Sequence, residues 1–523
     1  MENITNPILP GFNPDPSILR VGDNYYIATS TFEWFPGVQI HHSRDLVNWQ
    51  LLPAALTRKA QIDMVGNIDS GGVWAPCLSY DDGVFYLIYT DVKSRKGAFK
   101  DAHNYLVTAT DIEGPWSDPL YLNSSGFDPS LFHDSDGTKW LLNMIWDFRK
   151  GKASFAGIAL QEYSPERRQL VGKVYNIFKG TDLGITEAPH IYKRNGYYYL
   201  MTAEGGTWYT HAVTMARASS LTGPYEVDPT NPILTSDQLD QQKLQKSGHG
   251  SLVETQDGQW YMAHLCARPI IDKKCILGRE TALQKCYWTD DGWLRVEGGP
   301  FPQAQVDSPK IPISPVHHEN DYDDFSGTDL KRYWNSLRQP FSETWISLSD
   351  RPGHLRLKGR ESMQSTHHQS LLARRLTTLH LVVETAVDFE PDTFQQMSGL
   401  ILYYDTADYV YLRISHDERL GKCIGIIEST HGQYNEPLES DIHIPGGLTY
   451  LRAEIENSHV QFFVSTHDTA WTKVGTSLDI SHLSDDDADY IRFTGAFVGI
   501  CAQDLSGQAK AADFAYFNYQ PAQ

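Results

Sequence analysis

Cysteine is scarce in this sequence, and long apolar runs are missing. The six cysteines are Cys77, Cys266, Cys275, Cys286, Cys423 and Cys501. They form no C-x-x-C pair or other zinc-like spacing, so we expect free thiols in a reducing compartment. No window approaches the roughly 18 consecutive apolar residues of a membrane-spanning helix. Residues 1–6 lack the basic start and apolar stretch of a secretory signal. We therefore expect a cytoplasmic protein.

Positive charge is also in deficit. The chain has 44 Lys and Arg against 65 Asp and Glu, which gives a formal net charge of −21. Such a field repels phosphate backbones and anionic lipid surfaces. We therefore expect no nucleic-acid partner and no membrane partner, whereas a neutral substrate remains compatible with the charge.

Aromatic residues, by contrast, are abundant. They make up 12% of the 523 residues, with 13 Trp and 28 Tyr. A β-rich protein accounts for this, because aromatic side chains suit pleated surfaces. A sugar-binding cleft, in which rings stack on pyranose faces, is the alternative, and composition by itself favours the β-rich interpretation. The length predicts two domains.

A weak repeat occurs five times in the first 300 residues. Each unit has a polar or Pro-containing entry, a short strand pattern, a turn with Gly, Asp or Asn, and an aromatic strand. The entries begin DPSIL at 15, WAPCL at 74, FDPSL at 127, EAPHI at 187 and HGSLV at 249. With Pro16, Pro76, Pro129, Pro189 and Gly250 as markers, the steps are 60, 53, 60 and 61 residues. About four short strands per unit are typical of a propeller blade. We predict a five-bladed β-propeller over residues 1–305.

The composition and periodicity of the sequence change after this region. Residues 306–320 are Pro-rich and lack periodicity, so they predict a linker. Residues 321–523 alternate apolar and polar residues, with turns about every 8–12 residues, which favours an antiparallel β-sandwich. We expect the jelly-roll, concanavalin-like type, and the fold class is all-β throughout.

The five entries carry Asp15, Trp74, Asp128, Glu187 and His249. The first strand of each blade lines the central channel, so these side chains are expected to converge. Each has a structural explanation on its own, such as a turn-opening Asp-Pro or a core histidine. Three acids at equivalent positions are costly without a task, because like charges repel and burial opposes ionisation. Glycoside hydrolysis needs such acids: one protonates the leaving oxygen, another activates water, and a third raises the pKa of the proton donor.

Several motifs resemble glycoside hydrolase family 43, most nearly its two-domain bacterial β-xylosidases, some of which also act as α-L-arabinofuranosidases. The motifs are NPDPS (13–17), FDPSLF (127–132), TEAPHIY (186–192), SGHGSL (247–252), LGRETALQ (277–284) and FTGAFVGICAQDLSG (493–507). The resemblance implies that Asp15 is the general base and Glu187 the general acid. It implies that Asp128 raises the pKa of Glu187 and orients it. It places Arg279 near the sugar and Asp128; the alternative is an ion pair with a surface acid.

The same resemblance predicts a substrate pocket. Its substrate-binding residues would be Phe32, Trp74, Phe127, His249, Arg279 and Phe497, with Phe497 on a loop of the second domain that closes the pocket. Some family members hold a hydrated calcium ion near the position of His249. The sequence supplies no further protein ligands there, so we expect no required metal and leave the ion open. Relatives are often dimers or tetramers, and we expect a homo-oligomer.

The resulting prediction is an exo-acting, inverting glycosidase that releases xylose from the non-reducing end of short β-1,4-xylo-oligosaccharides, with α-L-arabinofuranosidase as a side activity. Three alternatives stay open. They are a main α-L-arabinofuranosidase or arabinan hydrolase activity, a retaining fructan-type hydrolase on a similar propeller, and a non-catalytic carbohydrate-binding protein. A retaining enzyme would need its carboxyls about 5–5.5 Å apart, whereas inversion needs about 6.5–9.5 Å.

Overall fold

The computed structural model describes residues 3–239, 244–316, 319–467, 470–488 and 491–521. These residues form strands joined by turns and loops, and the predicted all-β class is confirmed. In these ranges no helix combines the length and the apolar character of a membrane span.

Residues 17–296 form five antiparallel sheets, each built from strands that follow one another along the chain, and the predicted five-bladed propeller is confirmed. Blade I contains Ser17–Val21, Asn24–Thr29, Gln39–Ser43 and Gln50–Leu51. Blade II contains Gly72–Asp81, Val84–Ser94, Asp101–Ala109 and Leu120–Asn123. Blade III contains Ser130–His133, Lys139–Trp146, Phe155–Ser164 and Gln169–Phe178. Blade IV contains Glu187–Arg194, Tyr197–Glu204, Ala212–Ala218, Glu226–Val227 and Leu234–Thr235. Blade V contains Gln245–Glu254, Trp260–Ala267, Arg279–Trp288 and Leu294–Val296.

Tight turns connect the first two strands of the blades. In blade II the pair Asp82-Gly83 separates strand ends that face each other, and both residues have positive φ angles of 47° and 79°. Asn195-Gly196 does the same in blade IV, with φ angles of 48° and 81°. Two positive φ angles define the hairpin turn whose twist matches the flanking strands, which is why Asp, Asn and Gly recur at these places.

The two ends of the propeller chain meet on blade V. Asn3–Thr5 pairs antiparallel with Gln305–Asp307. The Asn6 side chain donates to the backbone oxygen of Leu283 at 2.8 Å and accepts from its N–H at 2.8 Å. These bonds satisfy backbone groups of the blade V strand Arg279–Trp288 that its short outer strand does not reach, so the ring is closed.

The second domain consists of two large antiparallel sheets packed face to face. One sheet contains Tyr322–Asp323, Ile346–Ser347, Leu355–Lys358, His380–Asp388, Leu448–Glu456, His459–Ser465, Thr472–Asp479 and Ala511–Pro521. The other contains Ser370–Arg375, Gln396–Tyr403, Tyr409–Asp417, Gly421–Thr430, Gln433–Asn435, Ile442–His443 and Phe497–Asp504. Their facing side chains form one large apolar core, and the predicted β-sandwich is confirmed. The strand that closes the propeller ends at Asp307 and the sandwich begins at Tyr322; residues 317 and 318 of the predicted linker lie outside the described residues.

The sandwich is bonded to the propeller next to blades I and II. Ser336–Leu337 pairs antiparallel with Trp34–Phe35, which gives a two-stranded sheet shared by the domains. Arg338 follows directly and is fully buried; it donates to the backbone oxygen of Asn67 at 2.7 Å and to Asp69 at 2.6 Å. The shared sheet and these hydrogen bonds hold the second domain against the propeller near the channel entrance. Removing one partner of the buried ion pair would leave an uncompensated charge.

Candidate active site

The blades share an unusual backbone conformation at their entries. In each blade the residue directly before the marker Pro or Gly has a positive φ angle: 56° at Asp15, 38° at Ala75, 55° at Asp128, 48° at Ala188 and 52° at His249. Left-handed conformations cost about 1–3 kcal/mol for a residue with a side chain, and they persist where the surrounding structure enforces them. The repeat therefore places a strained turn at the channel end of every blade.

The acids do not stand at the same distance from the marker Pro: Asp15 and Asp128 directly precede it, whereas Glu187 lies two residues before it. Asp15 and Asp128 are themselves the left-handed residues, whereas Glu187 precedes the left-handed Ala188. The pairing of Glu187 with Ala203 is followed by a register shift before His190 pairs with Met201. The extra residue lets Glu187 reach the same cavity from one position earlier in the chain.

A cavity of about 200 Å³ lies at the centre of the propeller entrance. Eight of the nine predicted site residues line it: Asp15, Phe32, Trp74, Phe127, Asp128, Glu187, His249 and Arg279. The five blades therefore deliver three carboxyl groups, a guanidinium, an imidazole and three aromatic rings to one place.

Asp15 is held in its ionised form. Burial by itself raises its pKa, but the charges of Arg279 and His249 and a hydrogen bond from Ser30 together keep the pKa of Asp15 below its usual value. Arg279 Nη1 donates to Asp15 Oδ1 at 3.1 Å, and the Ser30 hydroxyl donates to Asp15 Oδ2 at 2.7 Å. His249 Nδ1 lies 3.5 Å from Asp15 Oδ1. A buried carboxylate with these partners can accept a proton from water.

Glu187 is held in its protonated form. Burial is the largest cause that raises the pKa of Glu187 well above its usual value, and the nearby charges of Asp128 and Asp15 raise it further. Burial and the charge of Asp15 likewise raise the pKa of Asp128 to about 8. Asp128 Oδ2 also accepts the backbone N–H of Ala188 at 3.2 Å, which ties it to the turn that carries Glu187. The Asp128 and Glu187 carboxyls therefore titrate as a pair, and the pair retains a proton at neutral pH.

Arg279 lies in the pocket, but it does not hydrogen-bond the acid that the resemblance implied. It contacts Asp15 rather than Asp128, and it also donates to Thr207 Oγ1 at 3.0 Å and to the backbone oxygen of Phe493 at 3.1 Å. The alternative of a surface ion pair is wrong, because the side chain is 3% exposed. The neighbouring Glu280 points to the other face of the strand and pairs with Arg268.

Aromatic rings form the walls around these charged groups. Trp74 lies 5.8 Å from Phe32 and 5.4 Å from Phe127, measured between ring centroids. The Trp74 indole N–H donates to the backbone oxygen of Ser70 at 3.0 Å, which fixes its orientation. Apolar walls strengthen electrostatic interactions inside the cavity, and their flat surfaces suit the apolar face of a sugar ring.

Comparison with known proteins places the chain in a family. The family model "Glycosyl hydrolases family 43" matches residues 4–294, and "Beta xylosidase C-terminal Concanavalin A-like domain" matches residues 322–520. The chain belongs to glycosyl hydrolase family 43. The concanavalin-like type predicted for the second domain is thereby confirmed.

Relatives of this family 43 chain match it over nearly its full length. It is 52% identical to a β-xylosidase of Bacillus subtilis (strain 168), over 99% of both chains. It is 50% identical to xylosidase/arabinosidase 43B of Humicola insolens, over 100% of this chain and 98% of the other. The crystal structure of xylan β-1,4-xylosidase from Bacillus halodurans C-125 is 59% identical and superimposes with a TM-score of 0.98, covering 99% of this chain and all of that one.

The prediction that Phe497 closes the pocket is wrong. Phe497 begins the sandwich strand Phe497–Asp504, is fully buried, and stacks on Trp34 with ring centroids 3.7 Å apart. Phe493 and Ile491 line the cavity instead, and the Phe493 ring lies 5.1 Å from Trp74. The second domain of this family 43 enzyme does complete the pocket, but with the loop that precedes the strand rather than with the strand.

The repeat pattern did not predict the other residues that line the cavity. They are Lys100, Trp146, Phe155, Ile185, Gly206, Thr207, Trp208, His211, Ile491 and Phe493. Trp146 and Phe155 are ladder partners on neighbouring strands of blade III, with ring centroids 5.6 Å apart. They flank the loop of residues 147–154 that joins these two strands, so a pattern anchored on the blade entries could not select them. A facing pair of aromatic residues at this end of the hairpin was the available signal.

The two phenylalanines allow a matched comparison. We expect Phe493→Ala to raise KM for substrate about tenfold, the equivalent of about 1.4 kcal/mol of lost contact. Phe497→Ala should instead lower the free energy of unfolding by about 3–5 kcal/mol, because it empties a packed site, and should leave KM within about threefold. Steady-state kinetics and denaturant unfolding of both variants check this. A larger KM effect for Phe497→Ala would contradict the assignment.

Within the described residues, His249 belongs to no group of three or more His, Cys, Asp or Glu ligand atoms close enough to share an ion. Cys275, Asp485 and Asp486 do form such a group. That group already surrounds an ammonium: Lys246 Nζ lies 3.1 Å from Asp485 and 2.8 Å from Asp486. His249 is outside it and contacts Asp15 instead.

Proposed function

We propose that the chain is an exo-acting, inverting β-xylosidase that releases xylose from the non-reducing end of short β-1,4-xylo-oligosaccharides. The observation that carries the proposal is the convergence of Asp15, Asp128 and Glu187 in one small cavity, where the pKa of Asp15 is lowered and the pKa of Glu187 is raised. The names of the relatives, β-xylosidase in Bacillus subtilis and xylan β-1,4-xylosidase in Bacillus halodurans, support the substrate class.

In this mechanism the two acids act on opposite faces of the sugar. Glu187 gives its proton to the glycosidic oxygen as the bond from C1 to that oxygen breaks. Water attacks C1 from the other face, and Asp15 takes the proton that the water loses. A new C1–oxygen bond forms with inverted configuration, and one water is consumed for each bond cleaved. Arg279 keeps Asp15 ionised, and Asp128 keeps Glu187 protonated and oriented.

Exo action is supported by the size and closure of the cavity. Its volume of about 200 Å³ is below the about 300–1,000 Å³ of pockets for drug-sized ligands, so it suits one sugar unit. The loop with Ile491 and Phe493 covers the side that faces the sandwich. A chain could therefore enter only with its terminal unit.

α-L-Arabinofuranosidase activity is the second candidate. Relatives include the xylosidase/arabinosidase of Humicola insolens and, at 34% identity, a non-reducing end α-L-arabinofuranosidase of Bacteroides ovatus. Arabinofuranose presents hydroxyls similar to those of xylose, so one pocket can take both. We expect kcat/KM for 4-nitrophenyl β-D-xylopyranoside to exceed that for the α-L-arabinofuranoside, and xylobiose to be cleaved. Preference for the arabinofuranoside, or failure to cleave xylobiose, would overturn the proposed main activity.

The pH dependence of activity follows from the two pKa shifts, at Asp15 and at Glu187. Activity needs Asp15 deprotonated, so it falls when pH drops through the lowered pKa of Asp15. It needs Glu187 protonated, so it falls when pH rises through the raised pKa of Glu187. We expect a bell with a broad plateau across neutral pH, measured as kcat/KM on xylobiose. A profile that stays flat from acid to alkaline pH would contradict both assignments.

No metal ion is required in this proposal, because protein groups supply the acid, the base and the cation. We expect kcat on xylobiose to be unchanged after incubation with EDTA and removal of the chelate. Loss of activity that added Ca²⁺ restores would overturn this part of the proposal. A calcium ion held near His249 mainly by water stays a prediction of the sequence resemblance.

The cytoplasmic location and the homo-oligomeric state, a dimer or tetramer, also stay predictions. Cell fractionation tests the first, and sedimentation analysis of the purified chain tests the second. Recovery of the protein outside the cytoplasm, or a monomer at micromolar concentration, would contradict them.

A further inference from the structure

Two exposed aromatic rings lie in contact at the edge of the propeller entrance. Phe99 is 64% exposed and Phe148 is 51% exposed, and their ring centroids are 4.6 Å apart with an angle of 41° between the planes. A single exposed apolar ring is common at protein surfaces, whereas two exposed rings in contact form a small apolar patch that a ligand can cover.

The Phe99–Phe148 pair is connected to the lining of the cavity through Trp146. The backbone oxygen of Ala98 accepts the indole N–H of Trp146 at 2.9 Å, and Lys100 Nζ lies 4.3 Å from the centre of the Trp146 ring. Both neighbours of Phe99 therefore contact Trp146, and Phe148 follows Trp146 by two residues. Lys100 and Trp146 line the cavity.

Lys100 and Trp146 line the same cavity as Glu187. The charge of Lys100 acts on Glu187, the acid that protonates the departing oxygen. In the proposed mechanism Glu187 acts on the departing oxygen, so the wall formed by Lys100 and Trp146 is taken as the leaving-group side of the cavity. The Phe99–Phe148 pair adjoins that wall through the contacts with Trp146.

We propose that Phe99 and Phe148 form a platform for the second sugar of the leaving chain, one unit beyond the sugar that departs from the scissile bond. This inference rests on the proposed function. The apolar face of a xylose ring stacks on flat aromatic surface, and an open platform lets the rest of the chain extend into solvent. The platform would make the enzyme distinguish xylotriose from xylobiose, because xylobiose has no unit to place there.

The test compares substrates of two lengths in the double variant Phe99→Ala/Phe148→Ala. We expect KM for xylotriose to rise about tenfold, which corresponds to about 1.4 kcal/mol of binding. KM for xylobiose and kcat for both substrates should stay within about twofold, because binding outside the cavity is uniform between ground and transition states. Phe394→Ala is the control: its ring is 57% exposed and lies in the sandwich, outside the cavity lining. This variant should leave KM unchanged for both substrates.

Two outcomes would overturn the platform. One is an equal change in KM for xylobiose and xylotriose, which would place the effect inside the cavity. The other is a change in oligomeric state measured by sedimentation, which would make the pair a contact between two copies of the chain. The variant Phe99→Tyr/Phe148→Tyr keeps flat rings and should retain the wild-type KM for xylotriose. Cleavage of xylobiose by the wild type tests the proposed function separately, since the platform does not touch xylobiose.

Discussion

Asp15→Asn should lower kcat on xylobiose by about 10²–10⁴-fold, the contribution of a positioned general base. The amide has nearly the same shape as the carboxylate and can keep contacts with Ser30 and Arg279, but it cannot take a proton from water. The loss should be equal for xylobiose and for an activated dinitrophenyl β-xyloside, because Asp15 acts on the water and not on the leaving group.

Asp23→Asn is the matched control for this substitution. Asp23 belongs to the hairpin turn of blade I, and its side chain is 66% exposed. We expect wild-type kinetics from it. Xylobiose hydrolysis by Asp15→Asn within about tenfold of the wild type would remove Asp15 from the role of general base. Thermal unfolding of both variants separates a lost base from a lost fold.

Glu187→Gln should discriminate between leaving groups. On xylobiose we expect a loss of about 10²–10⁴-fold in kcat/KM, because the departing sugar alkoxide needs a proton. On the dinitrophenyl β-xyloside the loss should stay within about tenfold, because dinitrophenolate departs without one. The alkaline limb of the pH profile should disappear on the activated substrate, since the group whose raised pKa causes that limb is gone.

The pattern of the two variants together assigns the roles. Equal losses from Glu187→Gln on both substrates would contradict its role as general acid. A loss from Asp15→Asn that depends on the leaving group would contradict the division of labour between the two carboxyls. Asp128→Asn adds a graded case: removing its charge should lower the pKa of Glu187 and move the alkaline limb to lower pH.

The repeat predicted most of the site because each blade entry has the same local geometry. Asp15, Asp128 and His249 occupy equivalent left-handed positions, and burial follows from the fold. The reach of Glu187 depends on a register shift between Glu187 and His190. The same shift follows Trp74 in blade II, so the Ala-Pro pair shared by these two entries was the available signal. The contact of Arg279 with Asp15 likewise depends on how blades I and V meet after ring closure.

The contribution of the second domain was harder to locate. In the segment FTGAF, residues 493–497, the strand begins at Phe497, and the residues before it belong to a loop. Sequence placed a phenylalanine of this segment at the pocket but selected the wrong one of two. The shared sheet between Trp34–Phe35 and Ser336–Leu337 has two residues on each side, too few to leave a periodic signal.

Proton NMR of xylobiose cleavage tests the central claim, that three acids converge with room for water opposite the leaving sugar. A spectrum taken in the first minutes should show α-xylose from the non-reducing unit, with β-xylose appearing later as the released sugar mutarotates to its α/β equilibrium. That order requires the two catalytic carboxyls to be about 6.5–9.5 Å apart. Release of β-xylose first would mean retention through a covalent intermediate, and it would contradict the roles given to Asp15 and Glu187.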